Sequence, residues 1–327
     1  MRRVTGLKAA LDLLGGPQPD DHEADEVAAR ILEDVRRNGD EAVKRISGDL
    51  DGQPLAFLEV PRREIDAALN AIPTETREAL ELAAERVRAF QTSAKPESWH
   101  DDDRHYGELI TPVGRVGAYV PGGTAPLAST VIMTVVPARV AGVDEVLLAS
   151  PAPGDSLPHP AVLAAAAIAG ADRVFKIGGA QAIGAFAYGT ETVPAVDLVV
   201  GPGNVWVTAA KRQLFGRVGI DGLYGPTETL VVADETSDAE FCASDLLAQA
   251  EHDIRARPIL ISTSVEIASE IEAALERQLA DLPRRAIAGE AVEKNGVSVI
   301  VSTVEEAIEV ANIVAPEHLC LAIANPT

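Results

Sequence analysis

The chain has 327 residues, which at about 150 residues per domain favours two domains, each large enough to bury its own core. Fifty acidic residues against 28 basic ones give a formal charge of -22, a field that repels phosphate backbones and anionic lipid headgroups. No basic patch offsets it, since the densest cluster is Arg284-Arg285, and nucleic-acid and membrane-surface partners are therefore disfavoured. An aromatic content of 4% argues further against a stacking platform for single strands. Two cysteines, Cys242 and Cys320, make neither a disulfide framework nor a Cys-x-x-Cys pair, which fits a reducing compartment. The N-terminus lacks a signal-peptide pattern, and no apolar run approaches the roughly 20 residues of a membrane span. The expected location is the cytoplasm.

In chain order, residues 1–22 read as an N-terminal helical arm. Val27, Ala28, Ile31, Leu32 and Val35 recur at helical spacing between Glu23 and Asn38, and Gly39 marks a stop. A second helix is expected from Arg63 to Ile72, ending before Pro73. A third runs from an N-cap at Thr74 to Gln91, with Leu80, Leu82, Ala83 and Val87 facing inward. From about residue 110, β-branched runs alternate with Gly-rich turns and Ala-rich helices. Strands are expected at 115–120, 145–149, 173–177 and 197–200, and helices at 130–141, 160–169, 180–187 and 204–214. A second series follows, with strands at 229–233, 258–261, 297–301 and 319–323 and helices at 239–252, 265–279 and 304–314. Near-continuous apolar strands alternating with helices predict parallel sheets covered on both faces. The fold class is therefore α/β, with two incomplete Rossmann-like, doubly wound parallel-sheet domains and an N-terminal helical segment. The expected partition is a first domain of residues 23–114 plus 228–327, a second of 115–227, and a ligand cleft between two such units.

Glycine turns stand where the chemistry is expected. Gly178-Gly179 opens a strand-to-helix turn, but Gly184 is misplaced for a G-x-G-x-x-G fingerprint. Pro121-Gly122-Gly123, Gly178-Gly179-Ala180-Gln181 and Gly201-Pro202-Gly203-Asn204 each follow the end of a predicted strand. Glycine there lets the backbone approach a phosphate while a helix N-terminus supplies N–H donors; a tight turn alone would also use glycine. Three such turns on one sheet edge favour a ligand, with Gln181 and Asn204 as amide contacts, although Asn204 also suits a helix N-cap.

Of six histidines, His22, His100, His105 and His159 lie in surface-like contexts. Gln249 and His252 are spaced i, i+3 at the end of a predicted helix, which suits either a metal pair or a histidine on the helix dipole. Glu317 and His318, after Pro316, offer a carboxylate and an imidazole for two distinct proton transfers, or a plain surface loop.

Six stretches in this order resemble the histidinol dehydrogenase family: Gly117 to Gly123, Gly178 to Ile183, Gly201 to Asn204, Gly225-Pro226-Thr227-Glu228, Gln249 to Asp253 and Ala315 to Leu319. The resemblance spans nearly the whole chain. It implies a zinc-bearing, NAD-dependent homodimer that oxidises L-histidinol through L-histidinal to L-histidine. It also implies that Tyr119, Gln181 and Asn204 contact NAD, and that Gln249 and His252 bind zinc and line the substrate site with Thr227 and His318. Glu317 and His318 resemble the family's proton acceptors. In two respects the chain departs from the family pattern. Thr227, close to Tyr224, stands where a serine is usual, which keeps open a paralogous dehydrogenase of another small polar alcohol such as sulfopropanediol. The family's other zinc ligands, an Asp and a His, would fall beyond Thr327. The chain is thus expected to be a C-terminally truncated member that binds zinc poorly and turns over little, and a non-catalytic binding or dimerising remnant stays open.

Overall fold

The computed structural model describes residues 1–16, 22–51, 55–122, 126–225 and 227–326. The chain divides into two compact units, a first of Met1–Asp20 with Gly225–Thr327 and a second of Asp21–Tyr224. The first unit opens with β1 (Arg2–Thr5) and α1 (Leu7–Leu14). The second unit then runs through α2 (His22–Asp51), α3 (Arg62–Ala71), α4 (Thr74–Ala94) and an antiparallel hairpin of β2 (Trp99–Asp101) with β3 (Tyr106–Glu108). Its alternating series is β4 (Arg115–Tyr119), α5 (Ala128–Ala141), β5 (Glu145–Ala149), α6 (Pro160–Ala169), β6 (Arg173–Phe175), α7 (Gly179–Tyr188), β7 (Leu198–Val200), α8 (Val205–Leu214) and β8 (Gly219–Ile220). The first unit resumes with β9 (Glu228–Ala233), α9 (Ala239–Ala250), β10 (Arg257–Ser262), α10 (Val265–Asp281), α11 (Arg285–Asn295), β11 (Val297–Ile300), α12 (Val304–Val314) and β12 (His318–Ala322).

The second unit's parallel sheet has the order β6-β5-β4-β7-β8, and the first unit's has β1-β11-β10-β9-β12. In each, the chain winds outward on one side of a central strand and then returns to the other. The winding direction switches between β4 and β7 in one unit and between β9 and β12 in the other, the points where doubly wound sheets offer a crevice. Both sheets are covered on both faces, which is why their strands read as continuous apolar runs. In the second unit Ala28, Leu32, Val35, Phe186 and Val207 form one core layer, and Ile65, Ala84, Ile132, Val135 and Leu163 the opposite one. In the first unit Leu246, Leu247, Ile271 and Leu275 lie against one face, and Ala10, Leu14, Ala307 and Val310 against the other.

Gly117 and Gly184 set close approaches in the second unit. A Cβ on Gly117 would sit 2.6 Å from the Phe186 ring, and one on Gly184 would sit 3.1 Å from Leu32. Gly184 is thus a packing glycine between α7 and α2, and Phe186 burial is worth on the order of 2 to 3 kcal/mol.

The doubly wound α/β class holds, while several expectations are corrected. Residues 23–114 pack with the 115–224 sheet rather than with the strands after 228, because α2 and α3–α4 bury their apolar faces on its two sides. The expected arm at 1–22 contributes a strand, Arg2–Thr5, which pairs with β11 and completes the first unit's sheet. The helix expected to stop at Gly39 restarts there, at φ 51° and ψ -131°. The Glu191 carboxylate fills the space beside Gly39 and accepts the Asp40 N–H at 2.8 Å, while the Asp40 carboxylate accepts from Thr190 and Thr192. Burial alone would raise the Asp40 carboxyl, but those hydroxyls, the Thr192 N–H and Lys44 outweigh it and hold the group below its usual range. Pro73, not Thr74, occupies the cap position of α4, and no side chain caps it. Leu82 is exposed, and Ala84 takes the buried place on that helix.

Candidate functional site

Tyr119, Gln181 and Asn204 all gather at the carboxyl edge of the second unit's sheet. Tyr119 ends β4, where its ring is buried and its Oη accepts the Gly179 N–H at 3.1 Å. Burial pushes this phenol above its ordinary value, against the opposing pull of that N–H, so it stays neutral and able to donate. Gly179 opens α7 at φ 64°, and a side chain there would collide with Gln181. Gln181 is 2% exposed; its Nε2 donates to Ser47 Oγ at 3.3 Å, while Oε1 has no partner. A buried amide oxygen left unpaired is costly and points to a ligand donor or water. Asn204 is exposed and caps α8, its Oδ1 accepting the Val207 N–H at 3.2 Å. Its capping role is therefore realised, and its Nδ2 remains directed by that bond. Pro121 and Gly122 reach the same edge, whereas Gly123 lies outside the described residues.

Sequence reasoning missed three further polar residues here. Ser150, at the end of β5, is 1% exposed with an unpartnered Oγ, and a Cβ on Gly122 would lie 3.3 Å from that oxygen. Lys211 and Asp221 form an ion pair against Gly201, with the Lys211 side chain only 2% exposed. A lysine amid Ala-rich helical sequence reads as solvent-facing, so nothing in the local pattern marks it as buried.

The remaining predicted residues collect at the opposite, amino edge of the first unit's sheet. Thr227 precedes β9 and its carbonyl accepts the Arg257 N–H at 2.9 Å; beside it the Arg257 guanidinium pairs with Glu228 at 2.6 Å. His318 begins β12, in register with Thr229 of β9. Its Nε2 lies 3.8 Å from Glu317 Oε1, beyond hydrogen-bond reach, and both side chains are nearly half exposed. The two groups can therefore act separately on a bound molecule. Helix α9 returns to this edge, but it ends at Ala250, so Gln249 and His252 do not share a helix face as expected. His252 sits in the following turn, its N–H donating to the Gln249 carbonyl at 3.1 Å. Gln249 is half-buried and His252 exposed. Among the described residues no cluster of three or more His, Cys, Asp or Glu side chains is placed to hold a metal. Two neutral donors fall short of the four that zinc takes in a closed site, so the described residues alone do not fit one. His22, His100, His105 and His159 are exposed, as expected.

Two parallel sheets, one with a glycine-lined carboxyl edge and orphaned buried polar atoms, define an α/β protein of the Rossmann-like, doubly wound class. The histidinol dehydrogenase family profile matches residues 16–327. Histidinol dehydrogenase from Thermus thermophilus is 50% identical, over 94% of this chain and 73% of its own length. The enzyme of that name from Bordetella parapertussis is 46% identical over 99% of this chain and 75% of its own. The crystal structure of histidinol dehydrogenase from Elizabethkingia anophelis superposes with a TM-score of 0.92 at 35% identity, covering 99% of this chain and 76% of that one. The chain belongs to the histidinol dehydrogenase family of oxidoreductases.

Proposed function

We propose that this chain is an NAD-dependent histidinol dehydrogenase of histidine biosynthesis that oxidises L-histidinol through L-histidinal to L-histidine. The observation that carries the cofactor assignment is the second unit's carboxyl edge. Four helix N-termini meet it with no acid in any first turn, and the buried Gln181 Oε1 and Ser150 Oγ lack partners there. In a molecule of charge -22, helix N-termini without acids, with the edge's Asp155 and Asp221 paired to Lys176 and Lys211, favour the anionic dinucleotide. Tyr119, Gln181 and Asn204 are its proposed contacts. NAD, when bound, accepts the hydride of each oxidation.

His318 takes the hydroxyl proton in the first oxidation and the proton of the hydrated aldehyde in the second. Glu317 removes a proton from the water that adds to the aldehyde, so the alcohol oxidation releases one proton and the aldehyde oxidation, which ends in the carboxylate, releases two, one to each residue. Their separation supports this division, since neither is tied to the other. Thr227 offers a hydroxyl to substrate. Gln249 and His252 are proposed as this chain's zinc donors, two short of the four of a closed site.

The exposed Leu82 and Phe90 of α4, with Trp99 and Tyr106 of the adjoining hairpin, support a homodimer. Cytoplasmic location fits two free cysteines and the finding that no described helix is long and apolar enough to cross a membrane. The test is NADH formation with zinc present. Histidinol should yield two NADH per molecule oxidised, with sulfopropanediol inert; turnover of sulfopropanediol alone would overturn the substrate assignment.

A further inference from the structure

We propose that the buried Lys211–Asp221 ion pair is a positioning device for the dinucleotide site, holding the Gly201 turn and, through it, the strand end that carries Tyr119. The proposal rests on the reading of this carboxyl edge as the NAD site.

Lys211 lies two helical turns beyond Asn204 on α8, and its side chain is 2% exposed. An ammonium at that depth is strongly unfavourable unless it is paired and hydrogen-bonded, and here it is both. Its Nζ donates to the Gly201 carbonyl at 3.0 Å and to Asp221 Oδ1. The other carboxylate oxygen, Oδ2, accepts the Gly201 N–H at 2.7 Å, and the Gly222 N–H bonds Oδ1 at 2.8 Å. A single ion pair thus holds both backbone polar groups of one residue. The Tyr224 ring lies 5.1 Å from the ammonium.

Gly201 needs that hold. Its φ is 110°, outside the range that other residues adopt, and a Cβ there would strike the Tyr119 carbonyl oxygen. The turn and the end of β4 are therefore in contact across the switch point, so a shift of Gly201 moves against Tyr119. Tyr119 in turn receives the N–H of Gly179, the first residue of α7. An apolar pair of equal volume could fill the space, but only a donor joined to an acceptor can fix the N–H and the C=O together. Sites that must hold a ligand to within a fraction of an ångström depend on such supporting contacts.

The experiment is titration of the full chain with NADH, read by its fluorescence, alongside unfolding midpoints and hydrogen exchange. K211M and D221N should each weaken NADH binding by about ten-fold and speed exchange of the 201 amide. As a control, D172N breaks the Arg139–Asp172 pair at the amino edge of the same sheet. It should lower the midpoint and leave NADH affinity unchanged. If either single variant does not fold, the K211M/D221N double variant, which leaves no orphaned buried charge, carries the same expectation. Folded pair variants that bind NADH as tightly as the parent, while Asn204→Ala weakens binding, would overturn the positioning role and leave the site standing. If the parent binds no NADH, or if neither Asn204→Ala nor Gln181→Ala alters binding, the site reading falls and the positioning role falls with it.

Discussion

The carboxyl edges of the two sheets are built alike and finished differently. In the second unit, α5, α6, α7 and α8 start at that edge with no acid in their first turns, and α5 and α7 have no side-chain cap. In the first unit, Asp238, Ser264 and Thr303 cap α9, α10 and α12, and Glu240, Glu266, Glu305 and Glu306 fill their first turns. Among the described helices of this unit, α1, beside the outermost strand, and α11 lack both. The switch point between β9 and β12 is also closed by Asp234, which accepts from Thr236 and, at 2.9 Å, from the Ala324 N–H. At one edge three helices are capped by side chains with acids in their first turns, whereas at the other α5 and α7 stay uncapped and no first turn carries an acid. The two share a topology, so the difference between the edges lies in their polar finish rather than in the strand order.

Variants can break this contrast or sharpen it. The largest effect is expected at the first unit's amino edge, where the chemistry is proposed to lie instead. His318→Asn should lower the rate of both oxidations by about 100-fold or more, whereas Glu317→Gln should impair aldehyde oxidation more than alcohol oxidation. Equal losses in the two half-reactions, followed separately with histidinol and histidinal, would remove the division of labour.

Next in size is the closure by Asp234. Burial would raise this carboxyl, but the Thr236 hydroxyl and the N–H groups of Ala324 and Thr236 outweigh it and hold it below the usual carboxylate range. A depressed folded-state value stabilises above the unfolded pKa of about 3.9 and is lost as the pH falls through the lower folded value. Asp234→Asn should cost roughly 1 to 3 kcal/mol at neutral pH and flatten the acid limb of the stability profile, as measured by denaturant unfolding. An unchanged profile would show that the closure carries no weight.

A smaller effect tests the open edge itself. Trp206 is exposed in the first turn of α8, so Trp206→Glu places an acid where there is none and should weaken NADH binding about two- to five-fold at low salt. Glu240→Gln, on the first unit's edge, should leave that affinity alone. Equal responses would show the two edges to be electrostatically interchangeable. The smallest effect concerns the thiols. Burial first, and Asp245 beside them, push Cys242 and Cys320 up to about 11, so both should alkylate slowly at pH 8 in the folded chain and readily once it is unfolded.

The strands and helices were legible because their periods are local. The runs at 145–149 and 160–169 carry their burial in composition and coincide with the observed elements. Short edge strands such as Arg2–Thr5 and Gly219–Ile220 escaped because they acquire strand character only from a neighbour supplied elsewhere in the chain. The helix α11 escaped because its apolar positions, Ala288, Ala291 and Val292, are few and small.

For the proposed site, the glycine turns and Gln181, Asn204, Glu317 and His318 are marked by residue type and spacing, whereas Tyr119 is marked only by the family resemblance. The sequence by itself determined the alternation of apolar strands and helices, the positions of the turns and the acidic field. Only the tertiary structure decided which unit residues 23–114 join, that Lys211 is buried against Asp221 and Gly201, and that Gln181 Oε1 and Ser150 Oγ are buried without partners. These depend on pairings between residues 10 to 188 positions apart, and burial of a charge or a carbonyl is a property of those pairings rather than of any local pattern.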